Sequence, residues 1–372
     1  MLAPIRHPRL DEFDALMRFL ERCFGHSKGF FVRNLPHISR PDPEIADWSY
    51  VIEKDGQIVS HVGVYPIEVV TAGVRLKIGG IGGVSTCPEA RGKGHMIRLL
   101  CHCIDEMRAQ GYPLSWLGGD RQRYNGLGWE RANPGYAPAW SRRSLDWLKV
   151  APCEVEEQFP QDAIEHIRRL QDQQPCHVIR SRLALQLSHP RLRVWTAPDG
   201  YAIAEGEGSD RLSILELVSI SAREVGMIRA MIDRATADSA SWTMSAWDNR
   251  LPRLMPSTEG YRAEGWWMYR IVDLTKLLQA ALPHLERRAR AVRNFAVALG
   301  IREHDRVDVA TIAVENGAVE VRVGKHAPDY IELDPLEAVR LLVGGPPIGA
   351  QVPAELHALL PIPVHVPPLD YV

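Results

Sequence analysis

The 372-residue chain sets 44 Lys and Arg against 46 Asp and Glu, a net charge of −2 at pH 7, so it lacks the basic footprint of a nucleic-acid binder. With 45% hydrophobic and 24% charged residues it reads as globular rather than disordered. Its length suits two or three domains at about 150 residues each. No apolar run reaches about 18 residues, which argues against a transmembrane helix. Asp11, Glu12 and Asp14 follow the start too soon for a secretory signal. The six cysteines make no Cys-x-x-Cys pair. They read as reduced thiols of a cytoplasmic protein, and no metal is expected.

In chain order, the first periodic segment is a helix from Asp11 to Phe24, with Phe13, Leu16, Met17, Leu20 and Phe24 on one face. Trp48–Glu53 and Ile58–Tyr65 read as strands around Asp55-Gly56, a hairpin signal. Glu68–Ala72 and Val74–Ile78 suggest a second hairpin at Gly73. The glycine-rich run Gly79–Gly83 leads to a strand end, and a helix is expected from Gly92 to Gln110, closed by Gly111. Pro113–Leu117 is a short buried strand.

Beyond residue 150 the mixture repeats. A helix over Ala163–Gln173 takes Asp162 as its cap. Strands Leu192–Thr196 and Tyr201–Glu205 flank a Pro198-Asp199-Gly200 turn. A strand at Leu212–Ile220, a helix at Arg223–Ala237 and a strand at Trp242–Trp247 follow. The last segment reads as mostly helical over Leu277–Leu299. Next come strands Val307–Glu315 and Ala318–Gly324 around Asn316-Gly317, and a helix Asp334–Leu342 with Asp334 as N-cap. The proline-rich tail 361–372 cannot be a long helix, and its low polarity suits a segment laid on the surface or inserted. The fold class expected is α+β in three units, residues 1–149, 150–274 and 275–372.

The chemistry concentrates at residues 84–96, Val-Ser-Thr-Cys-Pro-Glu-Ala-Arg-Gly-Lys-Gly-His-Met. A strand end, a tight turn and a helix start leave amides without internal partners, and with the helix dipole they form an anion site. Gly92 and Gly94 let phosphate oxygens approach the backbone, and Arg91 and Lys93 add charge. An Arg-Gly-x-Gly turn alone is equally compatible with a ligand-free loop. The preceding strand, the amphipathic helix and the two hairpins upstream favour the phosphate.

On these residues the chain resembles the GNAT acyltransferases, whose Arg/Gln-x-x-Gly-x-Gly/Ala element is matched by Arg91 and Gly94, with Met96 departing from the small residue of the last place. The resemblance implies acetyl-CoA as co-substrate, its pyrophosphate on the backbone of Arg91, Gly92, Lys93, Gly94, His95 and Met96. It also implies that Val84, Ser85 and Thr86 lie along the pantetheine arm. Tyr124-Asn125-Gly126-Leu127-Gly128-Trp129 looks like the family's aromatic-x-x-x-Gly-aromatic element. It implies Tyr124 as the acid that protonates the leaving thiolate, against the alternative of a structural tyrosine.

The layout beyond residue 150 looks like the Eis (enhanced intracellular survival) family. That likeness implies tandem GNAT-like domains, each a mixed twisted sheet flanked by helices, and a C-terminal sterol-carrier-like domain. It implies the terminal carboxylate of Val372 as base, with Leu369, Asp370 and Tyr371 lining the substrate channel. It further implies a small-molecule primary amine acceptor (aminoglycoside, polyamine or lysine type) and a homo-oligomer, hexameric in relatives. A surface tail whose end is unimportant is the alternative for Val372. The middle segment has no Arg-Gly-x-Gly and is expected to bind no coenzyme A.

Further features have two readings each. His95 is a phosphate contact or an exposed helix-start residue, and with His102 a poor metal pair. Asp120 and Glu130 attract a cationic amine or are solvated. Phe24–Phe31 line an acceptor pocket or pack as a loop. Leu336, Val339, Leu341 and Leu342 line a lipid tunnel or form a core. A non-catalytic acyl-CoA sensor and a lipid carrier are the alternatives to an enzyme.

Overall fold

The computed structural model describes residues 3–206, 210–265, 267–345 and 348–372. It is a mixed α/β structure on three sheets, two of eight strands and one of four. The first sheet runs in the order Ile5–Arg6, Ser49–Lys54, Gln57–Thr71, Val74–Thr86, Leu114–Gly118, Trp267–Ile271, Glu130–Arg131. Asp55 (φ 52°) and Gly56 (φ 74°) make the first expected turn.

The expected short strands on either side of Pro66, and the glycine run, are in fact two continuous strands of 15 and 13 residues. The glycines do not break the second strand, which stays paired with Gln57–Thr71 from Val74 to Thr86, and other groups approach their bare Cα atoms. A Cβ built on Gly79 would lie against Met107 Sδ, and one on Gly80 would lie 2.9 Å from Val372 Cγ2.

Helix Phe13–Phe24 ends on Gly25 at φ 72° and buries Leu16, Met17, Phe19 and Leu20. Helix His95–Ala109 buries Leu99, Leu100, Cys103, Ile104 and Met107 against the sheet. It starts three residues later than expected because Gly92 and Gly94 both hold φ 75°, which a right-handed helix cannot contain.

The second sheet runs Met244–Ser245, Gly135–Ser141, Ser239–Trp242, Arg211–Ser219, Gly200–Glu205, Leu192–Ala197, Glu156–Gln158. Gly200–Glu205 and Arg211–Ser219 are antiparallel, and Ser239–Trp242 joins in parallel after helix Glu224–Arg234. The local order matches that around helix His95–Ala109 in the first sheet. Sheet membership does not follow the expected division at 149 and 274: Gly135–Ser141 belongs to the second sheet and Trp267–Ile271 to the first. Two smaller expectations are corrected. Helix Ile164–Gln171 starts on Ala163 with no side-chain cap, so Asp162 does not cap it. The strand expected over 242–247 is split into Ser239–Trp242 and Met244–Ser245.

The helix expected over 277–299 is instead two helices, Leu274–Ala280 and Leu282–Ala289, followed by strand Phe295–Glu303 at the centre of the third sheet. That strand pairs on both edges, antiparallel with Arg306–Glu315 and parallel with Asp329–Leu333. Its middle is buried on both faces, so its sequence carries no period that separates strand from helix. Asp334 caps the helix Pro335–Val339, accepting from the Leu336 and Glu337 amides at 2.8 Å each. Val339 and Leu342 are fully buried in the largest core cluster.

The proline-rich tail is inserted. Ile362, Val364 and Val366 are fully buried. The Ile362 amide donates to Leu342 O at 2.8 Å, Thr71 Oγ1 donates to Pro363 O at 2.8 Å, and the Asn133 side chain donates to Val364 O.

Candidate active site

A notch opens where two parallel strands part. Val74–Thr86 pairs with Leu114–Gly118 only from Ile78–Leu114 to Gly80–Trp116, and beyond Gly80 that edge is free of the neighbour. On its other edge the strand stays paired with Gln57–Thr71 through a bulge. Gly82 faces Gly63 and Ser85 faces His61, which leaves Gly83 and Val84 opposite the single residue Val62. Gly83 takes φ 61° there, a conformation that favours glycine. Ser85 and Thr86 are tied down: Ser60 Oγ donates to Ser85 O at 2.9 Å and pairs with Thr86 Oγ1 at 2.8 Å.

The turn after this strand is exposed from Arg91 to Gly94. Cβ atoms built on Gly92 and Gly94 meet nothing within 4 Å. The helix that follows has no side-chain N-cap, so its first amides lack an internal acceptor. Arg91 departs from the expected role of its amide, which donates to Pro88 O at 3.3 Å. Its side chain reaches Thr86 O, also at 3.3 Å, and Lys93 Nζ reaches Glu89 O at 3.0 Å. His95 is half-buried; burial first, then Lys93, Arg98 and Lys54, lowers its pKa. One turn on, Arg98 Nη1 is buried with no hydrogen-bond partner among the described residues, an unpaired cationic donor of a kind that anions satisfy.

Tyr124 ends a short helix, Arg121–Tyr124, and is buried edge-on to Trp129 at 6.5 Å. It shares an apolar cluster with Leu99, Leu117 and the partly buried Val84 and Met96. The fold thereby gathers three of the expected residues, Val84, Met96 and Tyr124. Burial pushes the phenol's pKa up, and Arg123 opposes that shift. A Cβ on Gly119 would lie 3.1 Å from the Tyr124 ring, and one on the adjacent Gly118 would lie 3.7 Å from the Tyr371 ring. Tyr124 and Tyr371 therefore both lie against the end of this strand.

The terminus itself enters the notch. A Cβ built on Gly82 would fall 2.5 Å from the carboxyl carbon of Val372 and 2.7 Å from its oxygen. Tyr371 packs on Trp267 at 4.5 Å and Trp116 at 5.8 Å, and its carbonyl meets His37 Nε2 at 3.2 Å. Asp370 is held by Arg180. Leu369, expected in the channel, is buried instead in a cluster with Leu183, Leu187 and Ile203.

Beside the terminus lies a cavity of about 450 Å³, within the usual range of small-molecule sites. Phe24 and Phe31 line it, as do His61, Tyr65, Tyr371 and Val372. Glu130 does not face an amine: it is buried and bound by Arg121 and by Arg340 at 2.7 Å. Although burial opposes it, these two cations hold its carboxyl down at about 2. Asp120 is exposed and pairs with Arg123 at 3.4 Å. Among the described residues no three His, Cys, Asp or Glu are grouped to hold a metal, and no helix is long and apolar enough to cross a membrane.

His61, Tyr65, Arg98 and Arg180 escaped the sequence reading. Each lies inside a regular element or beside one, with no motif around it. Only the bulge, the notch and the returning tail give them a place.

Residues 4–132 match the family described as an acetyltransferase (GNAT) domain. The sequence matches no curated protein at a significant level. Among solved structures, a probable N-acyltransferase of unknown function from Enterococcus faecalis aligns with a TM-score of 0.72 at 18% identity, over 92% of this chain and 90% of that one. A GCN5-related N-acetyltransferase from Anabaena variabilis aligns at 0.69 and 21%, over 89% and 87%. Eis1 from Mycobacterium abscessus aligns at 0.62 and 17%, over 90% and 87%. At these identities the likeness is one of fold. The GNAT acetyltransferase domain, set in a fold shared with N-acetyltransferases along most of the chain, supports an acyltransferase.

Proposed function

We propose that this protein is an acetyl-CoA-dependent N-acetyltransferase of the Eis type that transfers acetyl to a primary amine by direct attack. The observation that carries the reading is the Val372 carboxylate beside Gly82, in the notch where the two parallel strands diverge. Acetyl-CoA is the co-substrate, with its pyrophosphate on the amides of Gly92, Lys93, Gly94, His95 and Met96. Arg91 contributes through its side chain, and the pantetheine arm runs along Val84, Ser85 and Thr86.

The amine gives a proton to the Val372 carboxylate, directly or through a water. Its nitrogen attacks the thioester carbonyl, which backbone amides polarise. The C–N bond forms, the C–S bond breaks, Tyr124 delivers its phenolic proton to the departing sulfur, the nitrogen's surplus proton passes to water, and the proton held by Val372 returns to the phenolate through water. Burial that raises the phenol's pKa also penalises a thiolate beside it, which keeps the transfer near balance. No acyl-enzyme is needed. The reading includes a degenerate second GNAT-like unit, a sterol-carrier-like third unit, a cytoplasmic location and a homo-oligomer.

Free-thiol release from acetyl-CoA across a panel of amines tests the activity. Thiol release that depends on added amine supports it. Saturable acetyl-CoA binding with no release by any amine would leave a sensor. Light scattering after size exclusion tests the assembly.

A further inference from the structure

The cavity beside the terminus has a wall chemistry that selects its occupant. Helix Phe13–Phe24 supplies Leu16, Met17 and Leu20, and Phe31, Leu35 and Ile38 close the other side. Charge is scarce and mixed. Arg9 and Arg40 both line the space, and Asp42 is the one side-chain carboxylate among the described lining residues. Asp42 is already committed, to Arg182 at 3.1 Å and to the Glu44 amide at 3.0 Å. The remaining anion is the Val372 carboxylate.

A second acceptor lines the same cavity. His61 lines the cavity, is 1% exposed, and has an Nε2 atom with no hydrogen-bond partner. Its Nδ1 lies 2.8 Å from Gly83 O. A carbonyl only accepts, so Nδ1 carries the proton and Nε2 offers a bare lone pair. Burial holds the ring neutral, its pKa pushed down to about 4. The cavity therefore counts a carboxylate and a buried lone pair among its lining groups, within largely apolar walls.

We propose that the acceptor is a monoamine on an apolar, ring-sized body, its single ammonium group at the Val372 carboxylate and His61 Nε2 and its body among Leu20, Phe24 and Phe31. The proposal rests on the acetyltransferase reading above. A polyamine or aminoglycoside fits poorly. Its further ammonium groups would lose water in an apolar chamber, beside two guanidinium groups and no free carboxylate.

The test is steady-state thiol release at saturating acetyl-CoA with n-butylamine, n-hexylamine, 2-phenylethylamine, spermidine and kanamycin. The expected result is a kcat/KM that rises about fourfold per methylene from butyl to hexyl, carried by KM. For 2-phenylethylamine the expected value is at least about tenfold above spermidine, the gain of two buried methylenes. A flat alkyl series, or a preference for spermidine or kanamycin, overturns the acceptor class while leaving acetyl transfer standing. Acetyl-CoA binding with no release by any of the five amines overturns both.

A variant locates the site. Phe24 is 45% exposed, so Phe24→Glu leaves the core intact while placing a carboxylate at the cavity. The ratio of 2-phenylethylamine to spermidine kcat/KM is expected to fall about tenfold, the size of one added charge contact near a protein surface. An unchanged ratio would place the acceptor elsewhere.

Discussion

Arg180 grips Asp370 through two bonds of 2.7 Å, Nε to Oδ1 and Nη2 to Oδ2. The two side chains are 1% and 4% exposed. The same guanidinium binds Glu216 of strand Arg211–Ser219 at 3.0 and 2.5 Å, and Gln186 Nε2 adds a bond of 3.0 Å to Asp370. The second sheet thus anchors the tail two residues before the terminus that enters the notch of the first sheet.

Removing one partner of this buried pair leaves the other charged and desolvated. Asp370→Ala is expected to cost about 3 kcal/mol of stability, the low end for such pairs because Glu216 still satisfies Arg180. Urea unfolding measures that. The same variant is expected to lower kcat with acetyl-CoA affinity kept, because the Val372 carboxylate loses its position. A kcat equal to wild type would separate the anchor from the chemistry.

Tyr124→Phe removes one oxygen from a buried ring. Turnover is expected to fall about 10²–10⁴-fold, the usual contribution of a positioned proton donor. Acetyl-CoA binding by calorimetry should stay within about twofold, since a change of a few tenths of a kcal/mol is all that losing a non-binding hydroxyl implies. Unchanged turnover removes Tyr124 from the mechanism.

Gly82→Ala places a methyl 2.5 Å from the Val372 carboxyl carbon, a separation no real contact sustains, so the terminus must shift. The expected outcome is a loss of kcat with little loss of acetyl-CoA binding. Deleting Val372 should mimic it, because the carboxylate then sits one residue short. Full activity in both variants rules out the terminal base.

Arg98→Met tests the unpaired Nη1. If that group binds an anionic part of the co-substrate, acetyl-CoA affinity should weaken about tenfold, as for one lost charged hydrogen bond of about 1.5 kcal/mol. Isothermal titration at two salt concentrations reads it. Equal affinity would assign Arg98 to folding alone.

His37 and His61 are both pushed down to about 4 by burial. Between their ordinary value near 6.5 and 4, the unfolded chain binds protons that the folded chain refuses. Their contribution to stability is therefore full above 6.5 and is lost as pH falls through that window. Each contributes up to about 1.4 kcal/mol per pH unit there. The urea midpoint should fall from pH 7 to pH 5, and His61→Gln should flatten the slope. A midpoint independent of pH over that interval would contradict the buried neutral rings.

Much of the local structure is legible without coordinates. The stripe of helix Phe13–Phe24, the Asp55-Gly56 and Asn316-Gly317 turns, the Asp334 cap and the glycine turn at 92–94 all follow from residues a few places apart. Such signals are set by backbone sterics and by side chains that reach only their neighbours. Phe295–Glu303 differs from its expected helix for the opposite reason: a segment buried on both faces shows no alternation.

What the amino-acid order alone determined, then, is a set of turns, caps and helix stripes, the glycine turn at 92–94 among them. The tertiary structure decided which strands share a sheet, that the tail is inserted, and that Val372, His61 and Phe31 face one cavity. Arg180 and Asp370 are 190 residues apart, and His37 and Tyr371 are 334 apart. A contact over such a span depends on the path of the whole chain, and burial, which sets the charge state of each group in the site, exists only once that path has closed.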